Sequence, residues 1–112
     1  MRLLFVQAGM RAYRDDEENI YFNCNSDRQI WESYKRYCDE LRLIVRTDGR
    51  IYTKAEAMSR FGMFDKSLAE VVLIPDIRSP RRNLFSLRLR AETQRIIADE
   101  VSKADRVIVR SA

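Results

Sequence analysis

The sequence predicts an α/β fold: a doubly wound, mostly parallel sheet with helices on both faces. Three observations lead there. Four short apolar runs rich in branched residues occur, at Leu3 to Val6, Leu41 to Val45, Val71 to Ile74 and Val107 to Val109. They are near-continuous rather than alternating, as in strands buried on both faces. Helical spacing fills the intervals between the first two runs and between the last two, and that alternation favours right-handed crossovers. The chain has 112 residues, 46% of them hydrophobic, which is enough for one domain with its own core.

The first helix is signalled by Ser26 and Gln29, which make a capping box. Ile30, Trp31, Tyr34, Tyr37 and Cys38 then recur as one apolar stripe. Trp31 and Tyr34 are expected in the core, and Tyr37 is left open. After the second run, Asp48-Gly49 reads as a turn, with Arg50-Ile51-Tyr52 returning as a short antiparallel strand. Thr53 and Glu56 form a second capping box for a short helix that Gly62 ends. Pro75 closes the third strand. Asn83 caps a longer helix from Leu84 to Lys103, with Leu89, Ile96, Ile97, Val101 and Ala104 on one side. The usual doubly wound order places about four strands as 3-2-1-4. Val107 to Val109 then form an edge, a place where a second copy could pair to give a homodimer.

Composition excludes several functions. There is no histidine, so no His-dependent triad or His metal site exists. Cys24 and Cys38 fit neither a CxxC motif nor a disulfide framework and read as free thiols in a reducing compartment. No apolar stretch reaches membrane-spanning length, and the opening residues do not make a signal peptide. A cytoplasmic location is expected. The formal charge is +4, and the excess lies in residues 78–112, with nine basic and four acidic side chains.

Ligands of doubly wound sheets bind beyond the carboxyl ends of the strands. Here that points to a long loop from Gln7 to Asn25. Gly9 is its only glycine, so a GxGxxG dinucleotide cradle is absent and no cofactor is expected. The acidic run Asp15-Asp16-Glu17-Glu18 could bind polyol hydroxyls or a metal, but a solvated loop tip accounts for it more simply, and no metal site is assigned. Arg78, Arg81, Arg82, Arg88 and Arg90 have no acidic residue among them. They suit a solvated face or a patch for phosphates.

Three segments carry a resemblance. Met1 to Val6 is similar to an opening strand. Trp31-Glu32-Ser33-Tyr34-Lys35-Arg36-Tyr37 with Asp39 to Arg46 resembles "W-E-x-Y-x-x-Y-x-D-x-x-x-x-V-x-R". Ala104 to Arg110 resembles "A-D-x-V-I-x-R". Together they are similar to bacterial family-four glycosyltransferases of surface polysaccharide synthesis. The resemblance implies the N-terminal, acceptor-side, Rossmann-like part of a two-domain GT-B enzyme. It implies a C-terminal donor domain as partner, transfer of a sugar from a nucleotide-sugar to a polysaccharide or lipid-linked acceptor, and no catalytic residue in this chain. Gln7, Ala8, Gly9, Asn25 and Ser26 then become the acceptor-side loop. The arginine cluster becomes an anionic-surface patch at the inner membrane face. Relatives often have a glycine pair where this chain reads Asn23-Cys24-Asn25-Ser26, which argues against a glycine-loop role there. The alternatives are a small basic nucleic-acid-binding module, which motif order disfavours, and an interaction domain without chemistry.

Overall fold

The computed structural model describes residues 1–22, 28–75 and 84–110. The side chains of 8–10, 28, 29, 84–87 and 110 are outside that description. The element order is β1 (Arg2–Asp15), β2 (Ile20–Phe22), α1 (Arg28–Tyr37), β3 (Glu40–Tyr52), α2 (Lys54–Arg60), β4 (Gly62–Met63), β5 (Glu70–Pro75), α3 (Leu84–Lys103) and β6 (Arg106–Arg110). Among the described residues the result is a mixed α/β structure around one six-stranded sheet.

The four apolar runs form its parallel part. Residues 2–7 of β1 pair with β3 on one side and β6 on the other, and β3 pairs with β5. Both faces of the two central strands, β1 and β3, are covered, which explains why their runs do not alternate, whereas Val107 and Val109 of β6 are exposed. On one face Leu3, Phe5, Leu41, Leu43 and Val45 meet Trp31, with Ile30, Tyr34 and Cys38 packed around them. On the other, Leu4, Ile44 and Ile74 meet Ile96 and Ile97 of α3 and Ala104 just after it. Phe5 stands edge-on to Trp31 at 4.9 Å between ring centroids, a preferred aromatic geometry. Tyr37 is exposed and lies off the α1 stripe, and Val101 likewise leaves the buried side of α3.

The expected loop from Gln7 to Asn25 is instead strand and hairpin as far as Phe22. β1 continues to Asp15, and β2 returns antiparallel with Ala12 opposite Phe22 and Arg14 opposite Ile20. The chain can continue because β3 is also long. It offers Arg46, Thr47, Ile51 and Tyr52 as partners to Arg11, Ala12, Arg14 and Asp15. Pairing passes over Ala8, Gly9 and Met10, since Gln7 faces Val45 and Arg11 faces Arg46. Beyond this bulge Ala12 joins the Leu3–Phe5 face. Tyr13 turns to a second cluster of Tyr21, Tyr52, Ala57 and Phe61.

Asp48-Gly49 is not a hairpin turn. It sits in a bulge of β3, where Gly49 takes φ +78°, and residues 51 and 52 continue parallel to β1. A left-handed residue serves a bulge as well as a turn, so the glycine alone does not distinguish them. Thr53 caps α2 as expected, its Oγ1 accepting the Glu56 N–H at 3.2 Å. Phe61, rather than Gly62, is the C-cap. Gly62 starts β4, a two-residue strand opposite Phe22. The Ser26–Gln29 box and the Asn83 cap fall outside the described backbone or side chains.

Candidate functional site

Both aspartates of the resemblance segments sit at the amino end of the sheet. The Met1 amine donates to the Asp39 carboxylate. Asp39 N–H donates to Met1 C=O at 2.9 Å. Asp105 Oδ2 accepts the Arg2 N–H at 2.7 Å, and the Asp105 N–H donates to Arg2 C=O at 2.9 Å. These pairs hold the starts of β3 and β6 to the start of β1. They are structural ties.

Near that amino end, Arg42 projects from β3 toward α3. Its Nε and Nη2 donate to Glu100 at 2.6 and 2.9 Å, and Nη1 reaches Glu70 at 2.6 Å. Glu100 is buried. The carboxylates hold the guanidinium charged well above its ordinary range, chiefly through the Glu100 hydrogen bonds. This network locks α3 onto the sheet.

At the carboxyl end of the β1–β6 pairing, Gln7 is buried, and its Oε1 finds no hydrogen-bond partner among the described residues. Trp31 Nε1, on the same face of the sheet, is also without a partner among the described residues. Buried polar atoms are normally satisfied by protein or ordered water, so an acceptor and a donor left open mark this part of the interior as polar. Ala8 and Gly9 lie in the bulge that follows Gln7. Asn25 and Ser26 are outside the described residues, as are Arg78, Arg81 and Arg82. Arg88 and Arg90 are exposed on α3.

Further along, β1 and β3 bring up arginines that sequence reasoning had not singled out. Arg11 and Arg46 are register partners, and Arg14 is exposed on the next turn of the pleat. Arg46 was visible as the last residue of a resemblance segment. Nothing in the local sequence marks Arg11 or Arg14. Two grooves meet at Arg14. One, of about 560 Å³, is lined by Arg14, Glu18, Ile20, Lys66, Val71 and Leu73, among others. The other, of about 470 Å³, is lined by Arg14, Thr47, Asp48, Leu73, Pro75 and Leu89, among others.

The acidic run is mostly architecture. Asp15 is buried, and its Oδ1 accepts the N–H groups of Glu17 and Asn19, each at 2.9 Å. Its Oδ2 accepts Asn19 Nδ2 at 2.9 Å and Tyr21 Oη at 2.6 Å. Burial pushes its pKa up, but these donors, led by the Tyr21 hydroxyl, outweigh it and hold the carboxyl at about 2. Burial, then the Asp15 hydrogen bond, lift the Tyr21 phenol to about 12. Asp15, Asp16 and Glu17 lie close enough to share an ion, but the Asp15 oxygens are already committed to the hairpin. No helix among the described residues is long and apolar enough to cross a membrane.

No protein-family model matches this chain, and no curated protein or solved structure matches it either. The functional reading therefore rests on the residues and the geometry.

Proposed function

We propose that this chain is the acceptor-side, Rossmann-like unit of a two-domain GT-B glycosyltransferase, without transfer activity of its own. One observation carries the reading. The segments that resemble the family occupy adjoining positions around β1: Trp31 and Tyr34 against one face, Leu41 to Val45 in the strand on one side, Val107 to Val109 in the strand on the other. Helices on opposite faces and parallel strands on both sides of residues 2–7 of β1 support a ligand site beyond Gln7, since open α/β sheets take ligands past the carboxyl ends of their parallel strands. The donor nucleotide-sugar and the carboxylate pair then belong to a partner domain. Lacking a glycine-rich turn, this chain binds nucleotide-sugars no tighter than about millimolar.

The arginine cluster fits the same reading as a contact for anionic membrane. It includes Arg88 and Arg90, both exposed on α3, and each arginine near such a surface contributes about 1 kcal/mol. The test is to express whatever coding frame continues past Ala112 and to assay transfer from a panel of nucleotide-sugars to lipid-linked acceptors. Transfer by the longer product that residues 1–112 alone do not perform supports the proposal. Transfer by residues 1–112 alone overturns it, as does a frame that closes at Ala112. Base-selective RNA binding by the chain points instead to a nucleic-acid module.

A further inference from the structure

We infer that Arg14 anchors an anionic group, a phosphate monoester or a carboxylate, carried by a ligand whose apolar part lies along Leu73, Pro75 and Leu89. Arg14 is exposed and has no ion-pair or hydrogen-bond partner among the described residues. It lines both grooves, and Leu73 is the other residue they share. The neighbouring acids are mostly engaged. Asp48 accepts the Tyr52 hydroxyl at 2.6 Å and the Arg50 N–H at 3.0 Å. Glu70 is held by Arg42 at 2.6 Å. The Lys66 ammonium is taken by the Glu18 backbone carbonyl. Arg14 is thus the cation with donors to spare, and a guanidinium presents them in the fork geometry that suits phosphate and carboxylate.

The groove supplies the rest of the fit. Leu73, Ile74, Pro75 and Leu89 give it an apolar wall. Gly49 also lines it and brings no side chain into the groove. The groove lies past the carboxyl end of β5 and beside the β3 bulge, on the ligand-binding side of the sheet. Binding here does not depend on sugar transfer, so this inference and the proposed function fail separately.

The test is a titration of the isotope-labelled full chain, followed by amide chemical shifts. The probes are hexyl phosphate, hexanoate, inorganic phosphate and hexanol. Hexyl phosphate should move the amides of Gly49, Leu73 and Leu89. It should bind at least about tenfold tighter than inorganic phosphate, equivalent to about 1.4 kcal/mol, because its tail meets the apolar wall. Hexanol should bind weakly. Arg14→Gln should remove most of the advantage of hexyl phosphate over hexanol and leave the remaining spectrum unchanged. Inorganic phosphate binding as tightly as hexyl phosphate overturns the apolar half of the site and leaves a free-phosphate contact. Equal titrations of Arg14→Gln and the parent chain, or shifts confined to residues 84–95, overturn the assignment to Arg14.

Discussion

Arg42→Met should destabilise the fold far more than loss of a surface ion pair. The Arg42 side chain is 24% exposed and that of Glu100 only 8%, so removing the guanidinium strands a buried carboxylate. Breaking a buried pair from one side costs about 3–5 kcal/mol. The partial exposure of Arg42 brings the expectation to about 3 kcal/mol, at the lower end of that range. In urea, with a slope of about 1–1.5 kcal/mol/M for a chain of this size, the midpoint should fall by about 2–3 M. The double variant Arg42→Met with Glu100→Leu should recover most of that loss, because an apolar pair of similar volume needs no counter-charge. The assay is urea unfolding of the parent, both single variants and the double, followed by far-UV circular dichroism. A loss below about 1 kcal/mol for Arg42→Met, the range of exposed pairs, refutes the argument. So does a double variant whose loss is the sum of the singles.

Other expectations follow from the hairpin, the bulge and the cap. Because the folded Asp15 carboxyl is depressed to about 2, its contribution to stability is present above its ordinary pKa of 3.8. It is lost as pH falls through about 2, and Asp15→Asn should flatten the acid limb in that window. Tyr21, lifted to about 12, stabilises the fold below the ordinary phenol pKa of 10.0 and loses that contribution as pH rises through about 12. In an ultraviolet titration it should ionise late, and Tyr21→Phe should remove that late step. Gly49→Ala should cost about 1 kcal/mol purely through backbone strain, with Gly49→Asn milder, as read from thermal midpoints. Thr53→Ala should cost about 1 kcal/mol through the lost cap of α2, measured by urea unfolding.

The central parallel strands were legible because Leu3 to Val6 and Leu41 to Val45 are buried on both faces, and such burial writes itself as unbroken apolar sequence; the run Val107 to Val109 is as apolar, although Val107 and Val109 are exposed. The limits of α3, Leu84 and Lys103, and the Thr53 cap were legible for local reasons. The far half of β1 was not. Gln7 to Asp15 looks like loop because its alternation is broken at Ala8–Met10 and its tip contains no glycine. The turn is made instead by the Asp15 side chain, with Glu18 at φ 64°. Arg42 and Glu100 are 58 residues apart, so no local pattern announces their pair. Arg14 acquires meaning only when β2 and β5 build grooves around it. The aspartates of the resemblance segments, Asp39 and Asp105, do mechanical work at the amino end of the sheet, which no local pattern announces.

The bulge in β1 has a consequence for how this chain can vary. Along a strand, inside and outside alternate strictly, so a bulge acts as a parity operator on everything downstream of it. Between Gln7 and Arg11, β1 takes four steps while β3 takes one, from Val45 to Arg46. The surplus of three is odd, and it sends Arg14 to the groove side and Tyr13 and Asp15 to the opposite side. Gaining or losing one residue at positions 8–10 would exchange those assignments wholesale, burying a guanidinium and expelling the carboxylate that shapes the hairpin. Gaining or losing two would leave them in place. The length of this segment, counted modulo two, is therefore under tighter constraint than the identity of Ala8, Gly9 or Met10.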